Sequence, residues 1–470
     1  MDRLEGYYFS SLFSSSFLLS SILFSKISRE QRDPYMDEIF HIPQAQHYCH
    51  GHFNKWDPMI TTLPGLYLAS VGIVKPVAWL FAWSESVVCS PGMLRFVNLL
   101  FSLGNLYILY LIICRIHYKQ NVSSFRRILS TLNLYVFPTL YFFTFLYYTD
   151  TGSTFFILFT YLMCLYGNHK SAALLGFCAF CFRQTNIIWV IFCAGNVISE
   201  KLTEEWKSHL KKKRDEKPVE KGQFSETVDL VMFVVRYSMS FKNVLRLIVL
   251  TWPYITLVIS FLGFVIVNGG IVVGDRSNHE ACLNFPQVFY FLSFTLVFSF
   301  PHLISTQKKS DFVRSITRHP LLYIGLTTIS LFLIWKFTYV HKYLLADNRH
   351  YPFYVWKKIF QRHELVKYVL VPGYIFAAWT FTDALKGKSV LWLLMFSVCL
   401  LFATVPQKLL EFRYFILPYL IFRLNIHIPS VRKLLLELVL YITVNIATFH
   451  LFLNKTFHWP DSEDIQRFMW

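Results

Sequence analysis

The sequence predicts an all-α polytopic membrane protein. Charged residues make up 16% of the 470, against 54% hydrophobic and 19% aromatic, where a soluble domain carries roughly 25% charge. Mean hydropathy is +0.42. Apolar runs long enough to cross a hydrocarbon core of about 30 Å recur from one end to the other. The formal net charge of +17 does not point to nucleic acid. The basic residues cluster in short connectors between apolar runs, as the positive-inside bias requires.

Taken in order, Tyr7 to Ser25 is apolar and Ser-rich, and reads as a retained signal anchor rather than a cleaved signal peptide. Residues 26–93 form the first loop. Within it, Leu63 to Trp83 is apolar but interrupted by Pro64, Gly65, Gly72, Lys75 and Pro76, and reads as interfacial. Spans follow at Leu94 to Cys114 and Ile128 to Tyr148. A short turn at Asp150-Thr151-Gly152 leads to Phe155 to Tyr166, then Ser171 to Phe182. Arg183-Gln184-Thr185-Asn186 makes a polar kink before Ile187 to Ser199. Residues 200–242 are a hydrophilic, basic insert read as a flexible loop. Seven further spans are expected between Val244 and Phe452, giving about thirteen in all, with twelve to fourteen the working range.

Parity follows from charge. With Leu63 to Trp83 kept in the interface, the basic connectors 115–127, 200–242, 307–319 and 423–433 share one side, the cytosol, with the N-terminus. The opposite side then collects Asp37, Glu38, His41, Asp57, Asp150, Arg183, Gln184, Asp275, Glu280, Asp347, Arg349, His350, Glu411 and Arg413. Charge beside hydrocarbon is costly and needs a reason. Of the nine cysteines, Cys178 and Cys181 have metal-pair spacing but apolar surroundings, so they read as packing. Cys49, Cys89 and Cys282 fall on the non-cytosolic side. A disulfide is compatible there, although spacing does not identify a pair.

Met36-Asp37-Glu38-Ile39-Phe40-His41 resembles the Asp-Glu motif in the first luminal loop of GT-C glycosyltransferases that use dolichyl-phosphate sugars. Glu411-Phe412-Arg413-Tyr414-Phe415 resembles their later Glu-x-Arg-aromatic motif. The runs 36–47, 56–67, 182–187, 274–281 and 344–351 are similar to one family within that group. It is the dolichyl-phosphate-glucose-dependent α-1,2-glucosyltransferase of the endoplasmic reticulum, which adds the last glucose to the lipid-linked oligosaccharide for N-glycosylation. The resemblance runs nearly the whole chain.

The resemblance implies a GT-C type membrane domain over residues 1–470, with luminal active-site loops. It implies an inverting transfer from a β-linked glucosyl phosphate to an α linkage. That chemistry needs one carboxylate base and cations for the leaving phosphate. Asp37 is the expected base, with Glu38 the runner-up or its orienting partner. Arg413 and Arg349, then His350 and Arg183, are the phosphate candidates, because arginine forks bind phosphate oxygens bidentately. His41, Trp56, Asp57, Asp347, Tyr351 and Glu411 are substrate-binding candidates, the aromatic ones by stacking on sugar faces. No metal or other cofactor is expected. The expected partners are the polyprenyl-linked donor and acceptor lipids and the membrane. The alternative reading is a transporter or lipid-linked-sugar flippase. Such proteins place ionisable groups at the bilayer midplane and often carry repeats, whereas these acids sit at one edge and no repeat is visible.

Overall fold

The computed structural model describes residues 3–84, 87–216, 223–274, 276, 281–460 and 463–470. Asp275 and Glu280, on the candidate edge in the sequence, lie outside them. Among the described residues the regular structure is helical, with two isolated bridges, His350 with Met469 and Phe457 with Gln466.

Five helices are long and apolar enough to cross a bilayer: Arg3–Glu30, Pro91–Ile116, Phe241–Asn268, Pro320–Phe337 and Val431–Asn454. Ser124–Tyr135 and Pro138–Phe145 make a sixth if counted as one span, bent by 58°. The bend falls at Pro138, which has no N–H for the preceding turn. Shorter apolar helices fill the rest: Gly65–Leu80, His169–Phe182, Pro286–Phe298 and Val390–Thr404. At 1.5 Å per residue, a 16-residue helix such as Gly65–Leu80 reaches only about 24 Å, short of the hydrocarbon core. The chain is an all-α membrane protein.

Two local expectations need correction. Asp150-Thr151-Gly152 is not a turn between spans but the opening of the helix Thr149–Leu165. In the 200–242 insert, expected as a flexible loop, the described residues are largely helical. The helix from Ile187 runs on to Glu216, and Gln223–Met239 forms a second helix. Trp206 of the first helix meets Phe233 of the second at 5.2 Å, so apolar contact supports helix where charge alone reads as loop.

The core sits where Pro91–Ile116, Thr149–Leu165, His169–Phe182 and Ile416–Asn425 converge. Tyr161, Leu158, Phe192 and Phe422 are buried there. A second cluster joins the first loop to this bundle through Ile42, Tyr67, Leu94 and Phe182. Two glycines permit that close approach. A Cβ at Gly65 would overlap the Cys181 carbonyl, and one at Gly152 would overlap the Phe182 ring. The Arg183 kink is thereby pressed against both the first loop and the Asp150 helix.

Candidate active site

The Asp-Glu motif begins with a strained residue. Met36 has φ of 56°, a left-handed conformation uncommon for a residue with a Cβ. It turns the chain into the helix Glu38–Cys49 and sends the two acids to different places.

Glu38 is fully buried and held by four donors. Arg95 reaches it through Nε at 2.8 Å and Nη2 at 2.6 Å. The backbone N–H groups of Tyr35 and Tyr147 donate at 3.0 and 2.6 Å. Arg95 also donates to the carbonyls of Gln31 and Asp33. Glu38 therefore pins the segments of Tyr35, Arg95 and Tyr147 together. Every oxygen is engaged, and no substrate hydroxyl can reach it.

Asp37 is the reachable carboxylate. Its side chain is 42% exposed, against 2% for Asp150 and 16% for Glu411. Its backbone N–H donates to the Tyr148 hydroxyl at 3.1 Å, and Oδ2 accepts from Arg413 at 3.2 Å. Crowding by the surrounding protein pushes the Asp37 carboxyl up, but Arg413, with His41 and His350, outweighs this and holds it below its ordinary value. One turn on, His41 Nδ1 lies 2.6 Å from the Tyr67 hydroxyl. Burial, reinforced by Arg413 and Arg183 against the pull of Asp37, lowers the imidazole from 6.5 to about 4. It is neutral at pH 7.

Arg413 sits in a short 3-10 turn, Phe412–Phe415, that leads into the helix Ile416–Asn425. It contacts Glu411 at 2.7 Å, Asp37 at 3.2 Å and Asp150 at 3.7 Å. The Phe143 and Tyr148 rings flank its guanidinium. Arg183 grips Asp150 from the other side at 3.0 Å and donates to Thr149 Oγ1 at 2.9 Å. Asp150 is thus clamped between two arginines, and the cluster counts three carboxylates against two guanidinium groups. Each member sits at the end of a helix or in a kink, none at mid-span. A cavity of about 40 Å³ lies behind them, lined by Asp150, Arg183, Asn186 and Arg413. That is room for waters, not for a sugar. The open side of the cluster is the Asp37 side.

Asp347, Arg349 and His350 form a second group. Arg349 forks onto Asp347 at 2.9 and 2.8 Å and donates to Gln466 at 3.0 Å, with Trp459 stacked over it. Burial raises the Asp347 carboxyl, but the bonds from Arg349 and the field of His350 bring it below its usual range. His350 Nδ1 hydrogen-bonds the Trp470 carbonyl at 2.9 Å. Its field is felt at Asp37, which ties the two groups together.

The remaining candidates hold local structure. Trp56 packs edge-on against Tyr67 at 6.1 Å. Asp57 Oδ1 accepts from the Met59 N–H and closes its own turn, while Gln44 accepts from its backbone N–H. Tyr351 lies against Trp470 at 5.2 Å. Among the described residues no group of His, Cys, Asp and Glu is arranged to hold a metal. Sequence reasoning missed Arg95, whose one signal is a charge just inside an apolar run. It also missed Gln466 to Trp470, which carry no motif.

The DIE2/ALG10 family profile matches residues 31–424. A human protein, Dol-P-Glc:Glc(2)Man(9)GlcNAc(2)-PP-Dol alpha-1,2-glucosyltransferase, is 64% identical over 473 residues, covering 100% of each chain. The Arabidopsis thaliana protein of that name is 34% identical over 93% of this chain and 95% of its own. The Candida albicans one is 30% identical over 93% and 94%. No solved structure matches. The family profile spans Asp37, Asp150, Arg183, Arg349 and Arg413 alike, and the likeness to the human protein extends over the whole chain, so this chain belongs to the DIE2/ALG10 family.

Proposed function

We propose that this protein moves glucose from dolichyl-phosphate glucose onto the terminal glucose of the diglucosylated dolichol-pyrophosphate oligosaccharide, in an α-1,2 linkage. It works in the endoplasmic reticulum membrane as a GT-C type enzyme of about thirteen spans, with its N-terminus cytosolic and its active site luminal. The names of relatives that match over 93% or more of both chains support the activity. The observation that carries the mechanism is Asp37, the exposed carboxylate of its cluster, 3.2 Å from an arginine whose side chain is only 11% exposed.

The acceptor 2-hydroxyl attacks C1 of the donor glucose from the face opposite the phosphate. Asp37 takes the hydroxyl proton as the C–O bond forms. The bond from C1 to the phosphate oxygen breaks, and its electron pair leaves with dolichyl phosphate. Arg413 meets that charge, its longer bond to Asp37 being the one exchanged for phosphate. The exchange frees the Asp37 lone pair when the donor is in place. Arg349 and His350 are the second phosphate group, and Arg183 holds Asp150 against Arg413 from behind. The neutral His41 lies on the sugar side, held there by the buried Tyr67 hydroxyl, against which Trp56 packs. The step needs no metal or other cofactor.

The test is direct. Purified protein is supplied with dolichyl-phosphate glucose and the diglucosylated acceptor lipid. The expected result is a triglucosylated lipid sensitive to an α-1,2-glucosidase. Movement of lipid between leaflets without a new glycosidic bond would instead support a flippase.

A further inference from the structure

Residues 466–470 hold together segments that lie far apart in sequence, and several of these segments carry parts of the site. Arg467 is 5% exposed. Its guanidinium donates to the carbonyls of Phe452 at 2.8 Å and Glu30 at 3.0 Å, and to the Gln31 side chain at 2.8 Å. Its backbone is locked to Tyr35, two residues before Asp37. The Arg467 N–H donates to the Tyr35 hydroxyl at 2.8 Å, and that hydroxyl donates to the Arg467 carbonyl at 2.7 Å. Burial pushes the Tyr35 phenol up to about 12, so it stays a donor at any working pH.

The next residues reach the second group. The Met469 N–H donates to the Arg349 carbonyl at 2.9 Å, and the Tyr351 N–H to the Met469 carbonyl at 3.1 Å. Gln466 accepts from Arg349, and the Trp470 carbonyl bonds His350. The Trp470 ring then lies 5.9 Å from Phe412, the neighbour of Arg413. One five-residue stretch therefore touches the approach to Asp37, the backbone of Arg349 and Tyr351 with the His350 ring between them, and the segment carrying Arg413.

We infer that residues 466–470 are a positioning strap that fixes the spacing between the Asp37 base and the cations at Arg349, His350 and Arg413, with Tyr35, Arg467 and Trp470 as positioning residues. The inference rests on the transferase reading above. The strap's own groups are consumed in holding other residues, and its effect is on geometry. Misplacement of a reacting group by about 1 Å costs on the order of 100-fold in rate.

The test uses full-length Tyr35→Phe, Arg467→Lys, Trp470→Phe and Trp470→Ala, beside wild type and Asp37→Asn. Turnover is measured on monodisperse protein well below each melting temperature. A strap that only stabilises the fold lowers the melting temperature and leaves kcat of the folded enzyme unchanged. A positioning strap lowers kcat by about 10-fold or more in Tyr35→Phe and Arg467→Lys, with a smaller change in donor KM. Trp470→Phe keeps an aromatic wall against Phe412 and retains more turnover than Trp470→Ala. If Arg467→Lys does not fold, Tyr35→Phe decides, since it deletes one oxygen. Wild-type kcat in Tyr35→Phe, with Asp37→Asn inactive, overturns the strap and leaves the site standing. Wild-type kcat in Asp37→Asn overturns the site reading itself, and the strap with it.

Discussion

Asp37 and Glu38 share a peptide bond and almost nothing else. One side chain is 42% exposed beside Arg413, and the other is sealed against Arg95. Asp37→Asn keeps size and hydrogen bonding but removes the basic lone pair, so transfer should fall by about 10²–10⁴-fold with donor binding nearly intact. The rival role is helix capping, but the Asp37 side chain makes no capping bond. Asparagine caps about as well as aspartate, so that role predicts a normal enzyme; steady-state turnover of the purified variant separates the two. For Arg413, alanine should raise donor KM and lower turnover. Lysine should recover only part, because a point charge replaces a fork. Wild-type activity in both variants at low donor concentration would make Arg413 a structural anchor. His41 gives a pH test. Its folded value is depressed from 6.5 to about 4, so the unfolded chain binds the extra proton in that window. The stability it contributes is complete above about pH 6.5 and is lost as pH falls toward 4. Melting temperature should drop less steeply across that range in His41→Gln than in wild type, and equal slopes would refute the assignment.

At the scale of elements, the legible parts are those whose chemistry clashes with their surroundings. The acids and arginines at 37, 150, 183, 347, 349, 411 and 413 stand out because they interrupt apolar sequence. Arg95 was not legible as a partner, since a single charge one turn into a long apolar helix looks like an interfacial anchor. Its role depends on a contact 57 residues away. The Asp150 turn failed for a different reason. Thr149 to Gly152 is polar enough to read as a connector, yet two arginines and close packing on Phe182 keep it helical. The Arg95–Glu38 pair is itself testable. Removing one partner of a buried pair leaves the other charge unpaired, at a cost of about 3–5 kcal/mol. Glu38→Gln and Arg95→Met should each lower the melting temperature in detergent, and the double variant should lose less than their sum. Strict additivity would mean the pair carries no coupling.

For the whole molecule the open quantity is which face meets the lumen. Bent and short helices make hydropathy a poor counter, because Pro138 breaks one run and several apolar helices fall short of a bilayer's width. Covalent chemistry is a better guide. Cys49 and Cys89 form a disulfide with Cα atoms 6.5 Å apart. It ties the end of the Asp37-bearing helix to the start of the Arg95-bearing one. Disulfides persist in oxidising compartments and are rare in the cytosol, which supports a luminal first loop. The positive-inside partition then places Asn121-Val122-Ser123 in the cytosol, beyond the reach of glycosylation. Asn454-Lys455-Thr456 falls in the lumen, but Asn454 is the last residue of its helix and its side chain engages His450, so modification there should be sparse. Glycan mapping of protein from microsomes, with thiol alkylation before and after reduction, checks both ends of this argument. The expected pattern is bare Asn121, with Cys49 and Cys89 labelled only after reduction. A glycan on Asn121 would invert the topology and put Asp37 on the wrong side of the membrane for a luminal transfer.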